Sequence, residues 1–243
     1  MRIIKLDAID STNQYLRQLN LEYKLQDNTV VVVKNQTKGK GQMGSAWLSE
    51  PGKNLMFSMF KQLELPVRDN FYISMVVSLA VVKALQSVGI PELAIKWPND
   101  ILSCDKKVCG ILIENGLKGQ HIKSSIIGIG LNVNQENFKE LPKASSLKSL
   151  TKKTYVIDEL LNIILKQLEV YFSKLEANQL DALKQDYERL LFKKDVMAEF
   201  KNEEGAVFYG IIKSVSTSGK LQVLPKGETD IKAFDLKQLV LKY

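Results

Sequence analysis

Apolar positions along this chain follow two periods, and the switches between them outline the elements. Residues 11–14, Ser-Thr-Asn-Gln, read as a helix start, with Ser11 as N-cap and Gln14 completing a capping box; Tyr15, Leu16 and Leu19 then form an apolar face. Residues 29–33 are a β-branched run expected as a strand buried on both faces. After a Pro51-Gly52 turn, residues 54–60 predict a strand. Residues 71–88 predict a helix stopped by Gly89 with Pro91 beyond it, and residues 93–97 a strand stopped by Pro98. Residues 107–115 and 124–132 look like paired strands turning through 116–120. Residues 156–178 form a long amphipathic helix, continued by 181–191.

From about residue 192 the texture changes to short alternating stretches, 196–200, 207–215, 220–223 and 231–234, separated by Gly-containing turns. These suggest a small β-barrel that leans on the larger unit. The expected fold class is therefore α+β: a mixed-sheet domain over residues 1–191 and a small barrel over 192–243.

Composition narrows the picture only modestly. The chain has 243 residues, 45% hydrophobic and 25% charged, as in ordinary globular proteins. Its longest apolar patches, such as residues 75–82, are far shorter than a membrane span and interrupted by Ser78, and the charged first ten residues do not resemble a signal peptide, so the cytoplasm is the expected location. The formal charge of +7 permits nucleic acid as a partner, but the lysines are spread rather than clustered. Cys104 and Cys109 read as reduced thiols, and His121 as a solvated loop residue. One histidine leaves little scope for a Ser-His-Asp or Cys-His set.

Residues 38–47, KGKGQMGSAW, contain a literal G-x-G-x-x-G at Gly39, Gly41 and Gly44. A dinucleotide fingerprint needs those glycines in a tight strand-to-helix turn. Here residues 35–38 separate the preceding strand from the first Gly, and Pro51-Gly52 follows soon after the last. A Gly-rich loop with Lys38 and Lys40 is better read as a close cover for an anionic ligand. A second string, Lys96-Trp97-Pro98-Asn99-Asp100, followed by Lys106-Lys107 and Gly110-Ile-Leu-Ile-Glu114, places polar groups at a strand end; taken alone it is an ordinary turn signal.

The ordered set SerThrAsn (11–13), KGKGQMGSAW, KWPND, KKVCGILIE and GIGLNV (128–133) resembles the biotin protein ligase family along essentially the whole chain. The family's SH3-like C-terminal domain agrees with the small barrel. The resemblance implies an ATP-dependent reaction in two steps: biotin and MgATP give biotinyl-5′-adenylate, and the biotinyl group then passes to a lysine of a biotin carboxyl carrier protein. Lys107, Lys40 and Asp100 would be the catalytic residues, the lysines as fixed cations and Asp100 as an acid/base or magnesium-organising carboxylate. Biotin would meet Ser11, Thr12, Asn13, Gln36, Gly39, Lys40, Trp47, Lys107, Gly110 and Gly128; the adenylate side would meet Lys40, Trp47, Asn99, Lys107 and Asn132. No protein metal site is implied, since magnesium would arrive with ATP, near Asp100. Each residue also has a structural alternative: Ser11 as a helix cap, Trp47 as a core aromatic, Lys107 as a solvent-facing lysine, Asp100 as a turn residue.

Two departures from the family pattern stand out. Many members carry GRGRRGRxW in the loop, where this chain reads Lys40, Gln42, Met43 and Ser45, so three of four cationic positions are gone. The ligase pattern also begins at about Met1, so the expected form is monofunctional, with no DNA-binding domain and no nucleic-acid or membrane partner, as monomer or homodimer. The rivals are a lipoate ligase or octanoyl transferase, a small nucleic-acid-binding protein and a dinucleotide oxidoreductase.

Overall fold

The computed structural model of the chain describes residues 1–138 and 141–243. Its larger sheet has seven strands: β1 (Arg2–Ile9), β2 (Thr29–Gln36), β3 (Leu55–Pro66), β4 (Leu93–Lys96), β5 (Asp100–Ser103), β6 (Lys106–Lys118) and β7 (His121–Leu131), in the order β1-β2-β3-β7-β6-β5-β4. β1 and β2 are parallel and every other pairing is antiparallel. The four valines of β2 are buried on both faces, as their run predicts. Val30 and Val32 join the main core, while Val31 packs with Leu16, Phe60 and Ile126 beneath helix α1 (Thr12–Glu22).

The main core lies between the other sheet face and three helices, α2 (Phe71–Ser87), α4 (Ile157–Glu176) and α5 (Leu180–Arg189); a short α3 (Leu147–Thr151) precedes α4. Thirteen residues of α2 are buried. The stretch Val67–Ser87 has the length and hydropathy of a membrane-crossing helix, but 72% of its apolar window is buried inside the protein, so it serves as the core helix. The helix thus extends well beyond the apolar patch at 75–82.

The smaller sheet is antiparallel: β8 (Met197–Asn202), β9 (Val207–Val215), β10 (Leu221–Pro225), β11 (Lys232–Phe234) and β12 (Leu239–Lys242), in the order β11-β10-β9-β8-β12. With the mixed sheet and its helices this gives an α+β fold with an SH3-like C-terminal unit. The small sheet does lean on the larger unit. Trp97 Nε1 donates to the Gly219 carbonyl at 2.8 Å, and Phe71 N–H donates to the Thr217 carbonyl at 3.2 Å.

Candidate active site

The sheet register lays the site out in rows. Val31, Ser58, Gly128 and Leu112 are neighbours across four strands, and in the next row Met56, Gly130, Gly110, Asp100 and Lys96 stand side by side. On β7, Ile127, Ile129 and Leu131 belong to the main core, so Gly128 and Gly130 face the opposite side, toward the start of α1. The glycines make a trough in that face, and a cavity opens above it.

At one end of the cavity the α1 N-terminus is held from outside the helix. Ser11 occupies the N-cap position, but its side chain caps nothing, so the expected capping box does not form. Instead Gln36 Oε1 accepts from Thr12 N–H at 2.8 Å and from Thr12 Oγ1 at 3.2 Å. Ser11 is thereby free of its capping role and lies buried in the cavity wall. Ser58 Oγ lies 2.6 Å from both Thr12 Oγ1 and Asn13 Oδ1, and Asn13 Nδ2 donates to Glu114 Oε2 at 2.9 Å. Glu114 is also paired with Arg17. The result is a fixed set of donors and acceptors at the trough's α1 end.

At the other end stands Lys107. Val108 and Cys109 are adjacent in sequence, yet both are fully buried in the main core. The register shift between β5 and β6 permits this and returns Lys107 to the cavity face. Its Nζ lies 2.6 Å from Asp100 Oδ1, a charge contact rather than an aligned hydrogen bond, and 5.6 Å from the centre of the Trp47 ring. Lys96 Nζ approaches the other oxygen, Asp100 Oδ2, at 3.5 Å. Each Asp100 oxygen thus faces an ammonium group, so the carboxylate stands here as the counter-ion of both Lys107 and Lys96.

The Gly-rich loop folds over the trough as a small hairpin, with Trp47 N–H donating to the Gly39 carbonyl at 2.9 Å and Gly41 N–H to the Ser45 carbonyl at 2.7 Å. Asp10 anchors its base through Thr37 and Lys38, and those two contacts hold the Asp10 carboxyl below its ordinary range. Lys40 makes no ion pair among the described residues. Trp47 lies in the glycine trough: a Cβ on Gly130 would come 2.5 Å from the indole, and one on Gly110 2.9 Å from it. Its Nε1 is buried without a hydrogen-bond partner, a donor positioned for a ligand.

Most residues singled out in the sequence thus meet at one cavity: Ser11, Thr12, Asn13, Gln36, Lys40, Trp47, Asn99, Asp100, Lys107, Gly110 and Gly128 all line it. Two do not. Gly39 is small because the Trp47 backbone carbonyl would lie 2.5 Å from its Cβ, a contact within the loop. Asn132 is buried and donates through Nδ2 to the Ser145 carbonyl, tying down the segment that pairs with Lys107. Sequence reading missed Ser58 and Gly130; the second lies in the quoted GIGLNV string, while nothing local marks Ser58. His121 opens β7 rather than occupying a loop. Among the described residues no group of three or more His, Cys, Asp or Glu could hold a metal.

The biotin/lipoate A/B protein ligase family model matches residues 6–132, just over half the chain and the segment that builds this cavity. The chain belongs to that family. Family members of known name are also similar. The bifunctional ligase/repressor BirA of Bacillus spizizenii is 34% identical over 135 residues, which is 56% of this chain and 41% of that protein. A biotin–[acetyl-CoA-carboxylase] ligase of Mycobacterium tuberculosis is 29% identical over 147 residues, covering 59% of this chain and 53% of that one. The chain thus spans about two-fifths of the length of the BirA proteins it matches. Among solved structures, the biotin protein ligase from Aquifex aeolicus in complex with biotin and ATP superposes with a TM-score of 0.80 at 28% identity, covering 99% of this chain and 98% of that one.

Proposed function

We propose that this protein is an ATP-dependent biotin protein ligase. In the first step a biotin carboxylate oxygen attacks the α-phosphorus of ATP, forming the acyl–phosphate bond of biotinyl-5′-adenylate and releasing pyrophosphate. In the second, a lysine amine of a biotin carboxyl carrier protein attacks the acyl carbon, loses its proton, and expels AMP.

The observation that carries this reading is the division of one trough between two chemistries. The hydroxyl and amide groups of Thr12, Asn13, Ser58 and Gln36 fix one end, where a ureido ring could be read by paired donors and acceptors. At the other end stands the Lys107 ammonium, where a valeryl carboxylate and a phosphate would bring like charges together. Between them the glycines offer a floor under the Trp47 indole. Lys107 would offset the charge built up as carboxylate meets phosphate, Asp100 would keep that lysine in place, and Lys40 would face the phosphates from the loop. Asn99 lies in the same wall on the adenylate side. Magnesium would enter with ATP; the paired oxygens of Asp100 do not suit it as a protein ligand, and no step is assigned to a protein-held metal.

Pyrophosphate release from MgATP, measured separately with biotin, lipoate and octanoate, tests the substrate. Release with biotin alone is expected. Release with lipoate or octanoate and none with biotin would overturn the assignment.

A further inference from the structure

The C-terminal unit approaches the lysines near the cavity's reacting end through the Tyr243 ring. Tyr243 directly follows β12, which is fixed by antiparallel pairing to β8, and its ring meets Phe192 edge to face at 5.3 Å and 73°. Two cations also stand over the ring. Lys143 Nζ stands 4.1 Å from the ring centre and Lys96 Nζ 5.3 Å. Burial raises the phenol above its ordinary range, with the carboxylates of Asp100 and Asp105 adding to the shift, so a neutral aromatic face is what the two ammonium groups see.

Both lysines lead to Lys107 by separate routes. Lys96 approaches Asp100 Oδ2, and the other Asp100 oxygen holds Lys107 Nζ. Lys143 accepts Lys107 N–H on its carbonyl at 2.7 Å, and the next residue, Ala144, pairs in parallel with Lys107. One route sets the ammonium, the other the main chain that carries it. Neither lysine has a second aromatic neighbour of this kind, and Lys143 has no ion pair among the described residues.

We propose that Tyr243 is a positioning residue for Lys107: its ring fixes the ammonium groups of Lys96 and Lys143, and through them the carboxylate and the backbone that set Lys107 in the cavity. The C-terminal unit is thereby coupled to the reacting end of the trough without touching substrate. In its catalytic consequence this rests on the ligase reading; in its structural consequence it does not.

Tyr243→Phe and Tyr243→Leu separate a cation-binding ring from a space-filling side chain. Two quantities are read well below each variant's melting temperature: the single-turnover rate of biotinyl-adenylate formation, and the rate at which a small acetylating ester labels Lys107, followed by peptide mass spectrometry. Tyr243→Phe is expected to keep at least half the wild-type rate with unchanged labelling. Tyr243→Leu is expected to form adenylate roughly tenfold more slowly and to label faster at Lys107, because cation–π contacts of this kind are lost with the ring. Equal behaviour of the Phe and Leu variants in both measurements would overturn the inference, since filling the space would then suffice. If wild-type protein forms no adenylate, the ligase reading falls, and the labelling comparison still decides: faster labelling in Leu alone supports the positioning role, equal labelling overturns it.

Discussion

Asn13 and Gly128 share one volume: the asparagine amide occupies the space that any side chain at position 128 would need, because a Cβ there would overlap Asn13 Oδ1. Asn13 cannot simply turn away. Its amide is held by Ser58, the Leu112 carbonyl and Glu114. Gly128→Ala should therefore break this set of hydrogen bonds as well as strain the sheet, costing about 1–3 kcal/mol of stability. A larger effect is expected on biotin affinity than on ATP affinity, measured by calorimetry with each ligand separately. Unchanged biotin affinity would show that the asparagine is not part of the biotin site.

Asp100→Asn removes the counter-ion shared by Lys107 and Lys96 while preserving its shape. The expected outcome is a fall in adenylate formation of about 10²-fold or more, with little change in the amount of protein that folds. A general base for the second step would show a different signature: adenylate would form at the normal rate and only its transfer would slow. Rapid-quench measurement of each half-reaction distinguishes the two.

The loop's missing arginines are not equivalent. Gln42 and Ser45 line the cavity, whereas Met43 is exposed at a positive φ of 55° and points elsewhere. Gln42→Arg should slow dissociation of the adenylate by restoring a guanidinium fork near the phosphate, and Met43→Arg should leave it unchanged. Equal slowing by both would mean that overall loop charge, not position, governs retention.

Cys109 is buried beside Lys107, and burial pushes its thiol well above the ordinary value of 9.0. Iodoacetamide at neutral pH should modify Cys104 in the native protein and spare Cys109 until unfolding. The sign for stability follows. The folded state holds the Cys109 proton more tightly than the unfolded chain, so this contribution is full below about pH 9 and is lost as pH rises beyond it. Cys109→Ala should remove that part of the alkaline decline in melting temperature.

Much of this was legible in the sequence, and the limits have physical causes. The valine run of β2, the core helix α2 and the long helix α4 were readable because each buries a continuous face. The strands β1, β5 and β12 were missed, being half-exposed, very short, or short and terminal, so that pairing with neighbours rather than local pattern defines them. In the site, Lys107 was identified by its motif, but its orientation depends on a register shift that no single-strand pattern reveals. Ser11 shows the reverse: local sequence suggested a cap, while Gln36, 24 residues further from Thr12, takes over the helix end. Asn132 carries the motif yet serves the backbone of the neighbouring segment.

The most direct measurement is transfer of labelled biotin to a biotin carboxyl carrier domain in the presence of MgATP, by wild-type protein and by Lys107→Ala. Wild type should label a single carrier lysine only when ATP is present, and Lys107→Ala should lose that labelling by about 10²-fold or more. No ATP-dependent labelling by the folded wild-type protein would contradict the ligase assignment, and full labelling by Lys107→Ala would contradict the role given to Lys107.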